Sequence, residues 1–409
     1  MTATGPCNAP DGSGAVEVVD VVTLGESMVT FLPSCPGRLA DVPSFDRAIG
    51  GAESNVACTL AAAGHSVRWV SRVGADGFGD HLVEAIGAYG VDVTAVRRDP
   101  ARPTGIYFRT AGDRSTAAHE VAYYRTGSAA SAMTVGNTDL DVVRAGRVLH
   151  LSGITAALSE GCLGLMRELT APRAGRPLIS FDVNHRPGLW PDADGAGVLL
   201  ELARGADVVF VGEDEAEEAW GVTGGPEAVR AVLPEPGVLV VKQGSVGATA
   251  FVSPAGSRRL IAQFPAPLKP PGGHSPQPAG SRAAGAAPDP KTGGTPSARA
   301  SDNSPRPAPT PGTFVPALTV DVVATTGAGD AFAAGFLSAT LRNLPLRERL
   351  RHGHLTAAAA LTAQGDLAPP PTRHHADRLA ALDDDAWGRL RLGPGWTRAE
   401  QAPEEVRTP

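Results

Sequence analysis

Lysine is nearly missing from this sequence. Lys242, Lys269 and Lys291 are the only three in 409 residues, and although arginine brings the basic total to 36, the 43 acidic residues leave a formal net charge of -7. A nucleic-acid or membrane-surface protein needs a concentrated basic face to displace counterions, so neither partner is expected. Cysteine is scarce as well. Cys7, Cys35, Cys58 and Cys162 form no C-x-x-C pair and have no histidine at zinc-finger spacing, which argues against a disulfide framework or structural metal site and fits a reducing cytoplasm. Nowhere do roughly eighteen apolar residues run together, and residues 1–14 lack the apolar heart of a signal peptide. Two nucleotide signatures are also missing: there is no G-x-x-x-x-G-K-[ST], and no G-x-G-x-x-G follows the first strand. What remains is the expectation of a soluble, cytoplasmic protein whose partner is a small molecule.

What is present supports one large fold, since 42% of residues are hydrophobic and 19% charged. Apolar runs at Val18–Leu24, Val67–Val70, Arg147–Leu151, Pro177–Phe181, Asp207–Val211 and Gly237–Val241 suit strands buried on both faces of a parallel sheet. Helical spacing separates them at Ser54–Ala63, Gly79–Tyr89, Ser159–Thr170, Glu213–Trp220 and Pro226–Leu233. This alternation predicts an α/β, doubly wound, mainly parallel sheet flanked by helices. Segments 28–45 and 105–125 alternate polar and apolar residues instead, which predicts a small antiparallel β lid. Residues 1–17 read as a disordered leader. The Pro, Gly, Ala and Ser of 265–312 read as a disordered insertion without enough apolar surface to offset its ordering entropy, and 391–409 as a flexible tail. The ordered domain is then 18–264 joined to 313–390.

Chemistry concentrates at Gly327-Ala328-Gly329-Asp330, which opens an apolar helix. Free N–H groups at a helix start attract anions, glycines let the backbone approach a phosphate, and Asp330 is placed to take a proton from an attacking hydroxyl. Gly50-Gly51-Ala52-Glu53-Ser54-Asn55 opens a second helix with glycines beside a hydrogen-bonding amide. Lys242 ends a buried strand and is the one lysine outside the insertion.

Together with Gly74-Ala75-Asp76-Gly77-Phe78-Gly79, these segments resemble the PfkB, or ribokinase-like, family of carbohydrate kinases over about residues 18–385, the insertion apart. Within it the likeness is greatest to kinases of 2-keto-3-deoxygluconate, through Tyr123-Tyr124-Arg125-Thr126-Gly127-Ser128-Ala129, Leu149-His150-Leu151-Ser152-Gly153-Ile154 and Phe181-Asp182-Val183-Asn184-His185-Arg186-Pro187-Gly188-Leu189-Trp190. The resemblance implies that Gly51, Ala52, Glu53, Ser54 and Asn55 hold sugar hydroxyls, that Tyr107, Tyr123, Tyr124 and Arg125 reach the sugar from the lid, and that ATP with Mg2+ is the phosphoryl donor. It further implies that Asn184, His185, Arg186, Lys242, Gln243, Gly244, Ser245, Val246, Gly247 and the Gly327–Asp330 turn face the nucleotide, with Arg186 near the reacting phosphate. Arg125 suits a carboxylate, which a guanidinium binds through two parallel hydrogen bonds.

The sequence departs from the family at two places. An asparagine is expected at the start of Gly212-Glu213-Asp214-Glu215, leaving Glu215 alone to act indirectly on metal-bound water, and Ala324 stands where many relatives carry an aspartate associated with monovalent cations. The expected reaction is phosphorylation of 2-keto-3-deoxygluconate at its terminal hydroxyl. The alternatives are a fructokinase or other neutral-sugar kinase, and a sugar-binding relative without turnover. A homo-oligomer is left open.

Overall fold

A computed structural model describes residues 16–110, 120–190, 194–263 and 311–398. The predicted leader through residue 15 and nearly all of the predicted insertion lie outside the described residues, as does 399–409. Eight strands form the central sheet, in the order Thr313–Pro316, Gly247–Val252, Val238–Lys242, Val208–Gly212, Leu178–Asp182, Gly146–Ser152, Val19–Leu24 and Val67–Val70. The first two pairings are antiparallel and the rest parallel. Strands and helices occupy every predicted segment within a few residues. No helix among the described residues is long and apolar enough to cross a membrane.

The near-continuous apolar runs are explained by burial on both faces. Val21, Val148, Leu178, Val208 and Val238 point toward one layer of helices, where Val56, Leu60, Phe336 and Leu337 cover them. Their chain neighbours Val22, Leu149, Ile179, Val209 and Leu239 point the other way, toward Leu165, Met166 and Leu199. Each such side chain contributes about 1.5–3 kcal/mol on full burial. On the first face the composition changes toward the carboxyl ends of the strands. Val148 is followed at the same-face positions by His150 and Ser152, Leu178 by Ser180 and Asp182, and Val240 by Lys242. A face that turns polar along parallel strands marks where the helices stop excluding polar chemistry, which is the usual crevice for ligands in open α/β sheets.

The lid is a second sheet in the order Phe45–Gly50, Met28–Pro33, Ile106–Arg109 and Val121–Tyr124. Its outer pairings are antiparallel, as expected of hairpins, but the central pairing is parallel, because Ile106–Arg109 arrives after a long crossover rather than a tight turn. Residues 391–398, where the predicted tail begins, make contacts with the body. Arg391–Leu392 pairs with Thr319–Val320, Leu392 is buried, and Trp396 lies 5.8 Å from the His375 ring. The apolar side chains there find partners that composition does not reveal.

Candidate active site

The helix Ala328–Leu341 begins at Gly327, whose φ of 78° and ψ of -7° lie in the left-handed region, and no side chain caps it. An alanine at Gly327 would be strained by that φ and would also place its Cβ 2.2 Å from the carbonyl oxygen of Asp366. The first-turn N–H groups are thus left for an outside acceptor, with the positive end of the helix dipole behind them. Asp330, in that first turn, accepts a hydrogen bond from Asn55 Nδ2 at 2.9 Å. Asn55 lies one turn into the helix Ala52–Ala62, so two helix starts meet at this bond.

Lys242 completes the other side. At the end of its strand it donates to both oxygens of Asp182, at 3.2 and 3.0 Å, and a Cβ on Gly329 would lie 3.5 Å from its Nζ. Loss of solvation pulls its pKa down, but Asp182, Glu215 and Asp330 act against this and the net shift is upward, so the ammonium stays charged. Asp330 is raised to about 7. Loss of solvation is the main cause and the Asp182 charge adds to it, against the Asn55 hydrogen bond and the cations Lys242 and Arg186. A carboxylate tuned toward neutrality is suited to accept a proton from a hydroxyl. Beneath this layer His150 bonds Ser180 at 3.0 Å, and burial depresses it to about 3, so it is a neutral imidazole.

The remaining sequence candidates divide. Asn184 follows Asp182 with a φ of 42°, and its buried Oδ1 has no partner. Arg186, half exposed, approaches Glu215 at 3.4 Å, and His185 Nδ1 lies 3.5 Å from Glu218. Glu215 is occupied, since its other oxygen accepts from the Gly212 backbone N–H at 2.8 Å and closes the first turn of its own helix. Gln243 donates to Glu213 and accepts from Thr249, while Gly244, Ser245 and Val246 form an exposed hairpin turn that Gly247 closes by accepting from the Gln243 N–H. Of Gly51 to Asn55, only Asn55 reaches Asp330. Glu53 is buried against the hydroxyls of Ser152 at 2.8 Å and Thr155 at 2.7 Å, Ser54 bonds Ser27 at 2.9 Å, and Gly51 and Ala52 contribute backbone.

On the lid, Tyr107 and Tyr123 share the inner face with rings 5.4 Å apart, whereas Tyr124 packs edge-on against Phe108 on the outer face. The alternation of a strand prevents adjacent tyrosines from looking at one ligand, which removes Tyr124 from the set facing the body. Arg125 is not free: Glu26 pairs with it, Ser128 holds the same carboxylate, and its Nε is buried without a partner. Asp182, Glu26 and Asp366 were missed as site residues. Asp182 lies just past the predicted strand Pro177–Phe181, inside the Phe181–Trp190 motif but without a role of its own, and the other two carried no local signal.

No group of three or more His, Cys, Asp or Glu side chains converges as a metal site among the described residues. Asp182 and Glu215 are engaged by Lys242, Arg186 and a backbone N–H, so the donor set suits a cation arriving on the nucleotide phosphates rather than one held by protein alone.

The pattern of the pfkB family carbohydrate kinases matches residues 19–266 and 309–373. The chain is 31% identical over 373 residues to the 2-dehydro-3-deoxygluconokinase of Bacillus subtilis (strain 168), covering 89% of this chain and 95% of that protein. It is 30% identical over 371 residues to "Probable fructokinase-6, chloroplastic" of Arabidopsis thaliana, covering 86% and 80%. The crystal structure of a PfkB protein from Polaromonas sp. JS666 superposes with a TM-score of 0.66 at 29% identity, over 89% of this chain and all of that one.

Proposed function

Because the chain belongs to the pfkB family of carbohydrate kinases, we propose that it transfers the γ-phosphoryl group of ATP to the terminal hydroxyl of 2-keto-3-deoxygluconate. The observation that carries the mechanism is the line from Asn55 through Asp330 to the glycine turn and Lys242, with Asp330 raised to about 7. Asp330 accepts the proton of the sugar hydroxyl as the O–P bond forms and ADP leaves. The N–H groups of Ala328, Gly329 and Asp330 receive the transferring oxygens, and Lys242 and Arg186 supply positive charge where negative charge spreads. Magnesium bound to the nucleotide phosphates would neutralise part of that charge. Asn184, with its unpartnered oxygen, is assigned to the nucleotide side.

The acid substrate is supported by the 2-dehydro-3-deoxygluconokinase relative and by Arg125 on the lid, whose buried Nε still lacks a partner. Two observations favour fructose or another neutral sugar: Glu26 already balances the charge of Arg125, and the fructokinase relative spans the chain almost as fully. A turnover screen of both sugars with ATP and magnesium, read by ADP release, decides. Faster turnover of 2-keto-3-deoxygluconate supports the acid, preference for fructose moves the assignment, and no turnover of any sugar or sugar acid overturns the mechanism.

A further inference from the structure

The lid and the glycine turn meet at a residue that the reaction chemistry does not by itself require. Asp366 follows the helix Leu346–Leu361, and its side chain is 4% exposed. Its carboxylate accepts a hydrogen bond from the Tyr107 hydroxyl at 2.5 Å and pairs with Arg109 at 3.0 Å. Tyr107 and Arg109 are alternate residues of one lid strand, so both sit on its inward face and both are directed at this one carboxylate. The backbone of Asp366 touches the opposite side of the site, where its carbonyl oxygen fills the space a side chain on Gly327 would need, only 2.2 Å from that Cβ position. A Cβ on Gly50 would likewise fall 2.2 Å from the Tyr107 hydroxyl and 2.7 Å from Asp366 Oδ2. Gly50 ends the lid strand that leads directly into the helix carrying Asn55.

These contacts leave no slack. The lid strand cannot lift away while Asp366 stays fixed without stripping the Asp366 carboxylate of both Arg109 and the Tyr107 hydroxyl, and Asp366 cannot shift without releasing or crowding Gly327. Burial raises the Asp366 carboxyl, with Arg109 and the Tyr107 hydrogen bond opposing, and the Tyr107 hydroxyl is held well above its usual range, chiefly by burial and also by the Asp366 charge. The hydroxyl is therefore a donor at every physiological pH.

We propose that Asp366 is a positioning residue that couples closure of the lid over the sugar to the geometry of the phosphate-binding turn, so that sugar and nucleotide each raise the other's affinity. This rests on assigning the lid to the sugar and the Gly327–Asp330 turn to phosphate. Coupling between two binding sites is reciprocal and commonly amounts to about 5-fold or more. The test is calorimetric titration of the full chain with 2-keto-3-deoxygluconate and with fructose, each with and without a non-hydrolysable ATP analogue and magnesium. In the parent protein the analogue should tighten the turned-over sugar by roughly 5-fold or more, and in Asp366→Asn or Arg109→Met this factor should fall to about one. The double variant should lose nothing further, because the two groups act as a unit. Tyr107→Phe removes one bond without stranding a buried charge, and a partial loss of coupling in it keeps the proposal testable if the charge variants fail to fold. Undiminished coupling in a folded variant, or no coupling in the parent, overturns the proposal. So does a weakening of sugar binding that is equal with and without the analogue, since that is the behaviour of a direct sugar contact. Turnover by the parent is read separately, so a failed latch and a failed kinase assignment are distinguishable.

Discussion

The carboxyl ends of the central strands and the inner face of the lid both carry charged groups, but they use them differently. At the sheet, Lys242 pairs with Asp182 and Asn55 with Asp330, the latter in the first turn of a helix that no side chain caps. In the lid, Arg125 is matched by Glu26, and Tyr107 and Arg109 are matched by Asp366. The first arrangement has capacity left for a reaction, while the second is largely satisfied within the protein. Phosphoryl transfer is therefore more firmly written in the geometry than sugar choice, which depends on how much of the lid's pairing a substrate exchanges for its own.

The comparison breaks most sharply at Asp330. Asp330→Ala should lower kcat by roughly 10²–10⁴ with sugar affinity largely retained, measured by ADP release and calorimetry. Near-normal turnover would remove the base from the mechanism. Lys242→Met should raise the KM for ATP by on the order of 10–100-fold, the loss of a charge-assisted hydrogen bond of about 1.5–3 kcal/mol, with a smaller change in the KM for sugar. An equal effect on both would place the lysine in folding rather than in nucleotide contact.

The pH dependence sharpens the same contrast. Asp330 must be ionised to accept a proton, so kcat/KM should fall as pH drops through about 7. In Lys242→Met or Asn55→Ala that limb should move to higher pH, because a group favouring the ionised form has gone. Stability runs in the opposite sense. A folded-state pKa raised from 3.8 means that the folded protein gains stability from this group below about pH 4 and loses it as pH rises toward 7. Asp330→Asn should thus melt higher than the parent at pH 8, and calorimetric scans at both pH values would reveal whether the difference vanishes in acid. The smallest effect is expected in the lid. Glu26→Gln keeps the shape beside Arg125 but removes the balancing charge from a buried pair, which should lower the KM for 2-keto-3-deoxygluconate relative to fructose by about 3-fold, since only the acid restores a partner to the guanidinium. An unchanged ratio would show that Arg125 does not read charge.

Legibility followed distance along the chain. The Gly327–Asp330 turn could be read because its signals are local: glycines, an acidic residue and an apolar helix within a few positions. The helix Ala52–Ala62 and the strand ending at Lys242 were visible for the same reason. The partner of Asp330 lies 275 residues away and that of Tyr107 lies 259 away, so no spacing rule could pair them. The family resemblance implies that Tyr123 and Tyr124 both reach the ligand, whereas pleating sends the two rings to opposite faces.

By itself the sequence determined the doubly wound sheet, since runs apolar at successive positions are stable only where both faces are covered. It also determined the glycine turn that opens the helix Ala328–Leu341, since glycine at a helix start is a local property of the backbone. Only the tertiary structure decided that Asp330 is raised to about 7, that Arg125 answers to Glu26, and that Asp366 joins lid to turn. Desolvation and charge pairing depend on what lies a few ångströms away in space, and that neighbourhood is assembled from segments the chain brings together only by folding.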